Sequence, residues 1–186
     1  MIDTPTLQTK TRVVEINSTF DDFVKDLSTK PKNISDDLDA GENKTKTFAN
    51  LDTSCALSIS RAIAATAINS IYLYTDNLDP QVYDDPVLCK SLNDFAKRGG
   101  KFSVLINNKS KFLSHKPPPA LYQLLGNENI DFKFAKKQMS FKNFIVADNI
   151  MYRLEIEPDL HRAIASFNDK EFSAALTTAF KILSSL

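Results

Sequence analysis

The sequence predicts an α/β domain, a mixed and largely parallel sheet flanked by helices on both faces. Three observations lead there. From Leu51 onward, segments of helical periodicity feed short β-rich runs, as CALSISRAIAATAINS (55–70) feeds IYLYT (71–75) and PVLCKSLNDFAKR (86–98) feeds KFSVLINN (101–108). Late in the chain, IDFKFA (130–135), FKNFIVA (141–147), IMYRLEI (150–156) and AIASFN (163–168) come with no helix between them, which adds an antiparallel or hairpin section. Hydrophobic residues make up 42% of the chain and charged residues 25%, the balance of a globular domain with a real core.

Each element has a local reason. TRVVEI (11–16) alternates like a strand, and TFDDFVKDL (19–27) sets Phe20, Phe23, Val24 and Leu27 on one helical face. Residues 28–47 hold almost no apolar side chains and are rich in Pro, Gly, Asn and Asp, which predicts a mobile polar loop. Residues 1–50 are therefore expected to form an N-terminal extension, and 51–186 the main domain. Ser54 is placed to cap the first helix of that domain, and Pro86 to open the second, which closes on Gly99-Gly100. PALYQLL (119–125) predicts a short helix ending at Gly126. KEFSAALTTAFKILSSL (170–186) predicts a closing helix with Phe172, Leu176, Phe180 and Leu183 as its apolar stripe.

Twenty-three basic residues balance twenty-three acidic ones, which argues against a generic nucleic-acid coat protein. The charges are nonetheless uneven. From Lys97 to Lys142 there are ten Lys or Arg against Glu128 and Asp131 alone, and the first sixty residues are mildly acidic. No apolar run is long enough to cross a bilayer and the N-terminus has no signal-type stretch, so a cytoplasmic protein without a membrane partner is expected. Cys55 and Cys89 are then expected to be buried thiols rather than a disulfide. No His-x-x-x-His, Cys-x-x-Cys, P-loop or Gly-x-Gly-x-x-Gly occurs, so neither metal nor cofactor is expected.

In sheets of this kind ligands gather beyond the carboxyl ends of the strands, here taken as Asp76, Asn107–Asn108, Lys136–Lys137 and Asp148. The helix–strand units SISRAIAATAINS–IYLYT and KSLNDFAKRGG–KFSVLINN, followed by FKNFIVAD and ASFND, resemble a phospholipase D-like domain. That family carries His-x-Lys, four residues and Asp, then a Gly-Ser-x-Asn segment. On this chain FIVA is the spacer and Asp148 matches the Asp, with Phe141 at the His position and Asn143 at the Lys position. Ser166 and Asn168 match the Ser and Asn, with Ala165 in place of Gly. The stretch from Asp148 to Ser166 exceeds the family's compact spacing, and the surplus around 155–162 is read as an elongated hairpin.

The resemblance implies a phosphodiesterase scaffold with a degenerate motif. In the family the His attacks phosphorus and the Lys neutralises the non-bridging oxygens. A phenyl ring cannot attack, and an amide carries no charge. The implied function is a non-catalytic module, a pseudoenzyme that recognises protein or nucleic acid as a homodimer or as a subunit. Two alternatives stand beside it: an active phosphodiesterase or nuclease with atypical residues, in which His161 stands in for the lost histidine, and an α/β domain that binds a small phosphorylated ligand. His115 is the other histidine, in a basic loop before Pro117-Pro118-Pro119.

Bland readings are available for the same residues. Asp148 and Asn149 suit a turn, and Ser166, Asn168 and Asp169 suit the cap of the last helix. Arg153 invites an ion pair with Glu155 or Asp148. Lys109, Lys111, Lys136, Lys137 and Lys142 fall in or beside loops at the inferred ligand edge, interleaved with Phe112, Tyr122, Phe132, Phe134 and Phe141. That set suits phosphate contact and base stacking by single-stranded nucleic acid, or else a solvated surface over a phenylalanine-rich core.

Overall fold

Hydrogen bonding orders seven strands as β1-β7-β6-β5-β2-β3-β4 in one sheet. The computed structural model describes residues 47–50, 52–114, 119–157 and 162–186. The strands are β1 (Thr47–Asn50), β2 (Ser70–Thr75), β3 (Lys101–Ile106), β4 (Ile130–Phe134), β5 (Phe144–Ala147), β6 (Met151–Glu157) and β7 (Arg162–Ser166). The strand expected at 11–16, the helix at 19–27 and nearly all of the polar loop lie outside the described residues.

Parallel pairing joins β2, β3 and β4, whereas β2–β5, β5–β6, β6–β7 and β7–β1 are all antiparallel. The sheet is mixed as expected, but its parallel part is the smaller one. The reason is that no helix intervenes between β4 and β7, so each late strand pairs antiparallel with a sheet neighbour. β1 was not expected; TFAN is short, and its place comes from a ladder that sets Thr47 opposite Ser166 and Asn50 opposite Ala163.

Helices cover both faces. On one lie α1 (Thr53–Thr66), the short α2 (Pro80–Tyr83), α3 (Pro86–Lys97) and a 3₁₀ turn, Pro119–Leu124; on the other lies α5 (Lys170–Ser185). A further short helix, α4 (Lys109–Ser114), follows β3. Strand alternation divides the core accordingly. Ile71, Leu73, Val104, Ile106, Ile145 and Ala147 meet α1 and α3, whereas Tyr74, Phe144, Val146, Tyr152 and Leu154 meet α5. Full burial of a side chain of this size contributes roughly 1.5–3 kcal/mol, so these two layers carry most of the stability.

The caps follow sequence chemistry with one shift. Asp52, not Ser54, caps α1, accepting from the Cys55 amide at 2.8 Å. Asp85 caps α3 by accepting from Leu88 N at 2.7 Å, and it also takes both Nε and Nη2 of Arg61, which fastens α1 to α3. The Arg61 guanidinium holds the Asp85 carboxyl below the usual carboxylate range. Cys89 is buried, and burial pushes its thiol up to about 11; Cys55, against expectation, is exposed at the start of α1. Among the described residues no helix is long and apolar enough to cross a membrane.

Gly99 and Gly100 end α3 in a Schellman turn, with Gly100 N donating to Phe95 O and Gly99 N to Ala96 O. Gly99 has φ of 93°, which only glycine adopts without strain. Gly100 is buried for a different reason: a Cβ there would overlap the ring of Phe95, itself fully buried. Gly100→Ala is therefore expected to cost about 1–3 kcal/mol through overpacking, read as a lower urea midpoint with an unchanged slope. A midpoint equal to that of the unsubstituted protein would show that the Phe95 ring has room to move.

Candidate functional site at the carboxyl edge of the parallel strands

Strand direction decides which residues share an edge. β2, β3 and β4 end at Asp76, at Asn107–Asn108 and before Lys136–Lys137. β5 runs the other way, so its amino end, Asn143, joins this edge and its carboxyl end, Asp148, lies at the opposite one. The expectation that Asp148 belongs to the ligand edge is thereby corrected. Its carboxylate instead accepts backbone N–H groups of Ile68, Asn69 and Ser70 at 2.6, 2.9 and 2.8 Å, which pins the start of β2.

Asn143 organises the carboxyl edge. Its Oδ1 accepts from Asp76 N at 2.8 Å and its Nδ2 donates to Glu155 Oε2 at 2.7 Å. Its backbone oxygen accepts from Glu155 N, so the two residues sit directly across the β5–β6 ladder. The other Glu155 oxygen takes Arg153 Nη1 at 2.9 Å. Arg153 and Glu155 are two residues apart on β6 and so project on one face, that of α1 and α3, with Arg153 4% and Glu155 6% exposed. The expected Arg153–Glu155 pair is thus present and nearly dry.

Tyr83, half-buried on α2, lies close enough to feel both charges. Burial raises its phenol well above the ordinary range, with Arg153 opposing the shift and Glu155 adding to it. The phenol is therefore neutral near pH 7 and does not offer a phenolate. Asp76, at the end of β2, pairs with Lys111 at 2.9 Å. The arrangement is a hydrogen-bonded polar cluster in which Glu155 joins an amide to a guanidinium.

Phe141 goes elsewhere. Residues 141–143 are not in strand conformation, and the Phe141 ring packs with Tyr74 and Phe144, each at 5.8 Å between centroids, in the layer under α5. Phe141 and Asn143 therefore do not share a face as alternate residues of one strand would. Ser166 and Asn168 are not brought to the Asn143 edge either. Ser166 is fully buried opposite Tyr152, at the Asp148 end of the sheet, and its Oγ accepts from Asn168 N at 3.3 Å. Asp169 caps α5, accepting from Phe172 N at 3.0 Å. His115 and His161 lie outside the described residues.

The lysines divide into two groups. Lys111 pairs with Asp76, and Lys142 Nζ donates to Ile156 O at 3.1 Å. Lys109, Lys136 and Lys137 are exposed near the carboxyl ends of β3 and β4. Sequence reasoning offered Arg153 either Glu155 or Asp148 as ion-pair partner and did not place the pair at the ligand edge, because that placement needs the β5–β6 register. The signal was present in MYRLEIE, where three charges at alternate positions, Arg153, Glu155 and Glu157, interrupt an apolar strand.

No protein-family model matches the chain, and no curated protein matches it. Solved structures do. NucT from Helicobacter pylori aligns with a TM-score of 0.58 at 11% identity, over 76% of this chain and 97% of that one. Nuc from Salmonella typhimurium, a phospholipase D family member, aligns with a TM-score of 0.52 at 12% identity, over 75% and 95%. TrmBL2, an archaeal chromatin protein whose structure shows a novel mode of DNA binding, aligns with a TM-score of 0.55 at 10% identity. That alignment covers 92% of this chain but 63% of TrmBL2, less than two thirds of its length. At these identities the likeness is one of architecture, and the chain has a phospholipase D-like mixed α/β fold.

Proposed function

We propose that the chain is a non-catalytic phospholipase D-like module that recognises protein or nucleic acid, acting as a dimer or within a larger assembly. The observation that carries this reading is the use made of Asn143. At the position where the resemblance calls for a cationic lysine, a neutral amide is engaged by Asp76 N and Glu155. Phe141, at the position of the nucleophile, is packed among aromatic rings. The one guanidinium of the cluster, Arg153, is buried against Glu155, so its charge is offset before any phosphodiester arrives. Phosphoryl chemistry needs a nucleophile and uncompensated positive charge at the same point, and neither motif position supplies it.

The test is hydrolysis of bis(p-nitrophenyl) phosphate and of a labelled single-stranded oligonucleotide, with and without added divalent metal. Turnover no greater than that of a His161→Ala variant is expected. Cleavage by the unsubstituted protein that His161→Ala abolishes would overturn the non-catalytic reading and make His161 the stand-in for the lost histidine.

A further inference from the structure

At the carboxyl end of β4 an aromatic ring meets solvent. Phe134 is 38% exposed; one side of it leans on Phe112, with ring centroids 5.6 Å apart. Lys109 Nζ stands 5.2 Å from its centroid, within cation–π range. Lys136 and Lys137 follow Phe134 by two and three residues, so their Cα atoms lie within about 7 and 10 Å of its own. Ring and charges thus meet at one corner of the sheet.

The loop that carries these lysines is anchored. Ala135 N donates to Ile106 O at 2.9 Å, continuing the β3–β4 ladder. Four residues on, the buried Asn107 side chain grips Met139 by both backbone groups, accepting from its N at 2.8 Å and donating to its O at 3.0 Å. A loop fixed at both ends loses less conformational freedom on binding than a free tether does.

We infer that Phe134 with Lys109, Lys136 and Lys137 forms a platform for single-stranded nucleic acid, one base on the ring and the neighbouring phosphates on the ammonium groups. The inference rests on the recognition-module reading and names its partner. An unpaired base offers a free π-face to an exposed ring, whereas bases in a duplex stack on one another. An acidic peptide would use the lysines but has no need of Phe134. Lys109, itself exposed, can yield the ring face to a base and keep its charge beside the phosphate. The excess of basic residues between Lys97 and Lys142 favours the approach of a polyanion to this side of the molecule.

The test is fluorescence anisotropy of labelled oligothymidylate against a series of salt concentrations. Binding is expected at low salt, with Phe134→Leu weakening it about 5- to 150-fold and Phe134→Tyr retaining it. Lys136→Gln with Lys137→Gln is expected to reduce the slope of log affinity against log salt by about 1.4, two contacts at about 0.7 each. Circular dichroism confirms that the variants fold. No binding at low salt, binding indifferent to these substitutions, or equal competition by duplex DNA or by polyglutamate would overturn the inference. No binding, or equal competition by polyglutamate, leaves the module reading intact with a protein partner, and equal competition by duplex DNA leaves it intact with a duplex partner. Oligonucleotide cleavage that His161→Ala abolishes instead overturns the non-catalytic reading, whatever Phe134 does.

Discussion

Glu155→Ala is expected to destabilise the protein by about 3–5 kcal/mol, the cost of removing one partner from a buried ion pair. Arg153 is 4% exposed and loses the carboxylate that faces it, and Asn143 Nδ2 loses its acceptor. For a chain of this size the loss corresponds to a fall in melting temperature of roughly 6–20 °C. Glu155→Gln retains an acceptor for Asn143 and should fall between. Replacing both charges together, Arg153→Met with Glu155→Leu, should recover most of the loss, because desolvating two ions costs about as much as their attraction returns. The recovery should stop short of complete by about 1–3 kcal/mol, the cost of leaving Asn143 Nδ2 unsatisfied.

This series also bears on function. Groups held in place for catalysis are commonly strained, and removing them is often neutral or stabilising. A large loss at Glu155 would mean that the edge where phosphodiester chemistry is expected has been turned over to holding β5, β6 and the end of β2 together. A Glu155→Ala variant within about 1 kcal/mol of the unsubstituted protein would mean that the Arg153 charge is readily resolvated, and the case for a retired site would lose its main support.

From Leu51 to the C-terminus the sequence made the order of the strands and longer helices legible, because each has strong periodicity or a strong cap, but not the short helices α2 and α4, which are too brief to show a period. It did not make edges legible. Edges depend on strand direction, and direction is set by long-range ladders. FIVA reads equally well running either way, and only its antiparallel register against β2 sends Asp148 to one edge and Asn143 to the other. The same geometry separates Ser166 from Asn143. β6 fills the place beside β5, so β7 is one strand further out and finishes at the Asp148 end. The strand at 150–156 was legible, but matching motif letters by spacing took no account of the edge to which it sends Ser166. The split between Phe141 and Asn143 was hidden for a related reason: FKNFIVA reads as one continuous strand, yet regular pairing starts only at Phe144. Position 134 shows the converse. Its alternation with Phe132 was legible, but its exposure was not, because that depends on which elements pack over the end of β4.

Asp148 gives the second large effect, because two demands meet in one residue. Asp148 and Asn149 both have φ of 54°, and Ile150 N donates to Ala147 O at 3.0 Å, so the pair holds the central positions of a left-handed β-turn in the three-residue connection, 148–150, between β5 and β6. Asp and Asn tolerate this left-handed conformation better than most residues with a Cβ. The same Asp148 carboxylate accepts the three backbone N–H groups that begin β2. Asp148→Ala removes both features and is expected to cost about 2–4 kcal/mol, at least 1 of it from the left-handed backbone. Asp148→Gly relieves the backbone and loses only the acceptor, and Asp148→Asn keeps the turn and part of the acceptor. The expected order of loss in urea unfolding is therefore Ala, then Gly, then Asn. Equal costs for Ala and Gly would remove backbone strain from the account. Costs below about 0.5 kcal/mol throughout would show that water replaces the carboxylate at the exposed Ile68 and Asn69 amides, and that β2 needs no pin.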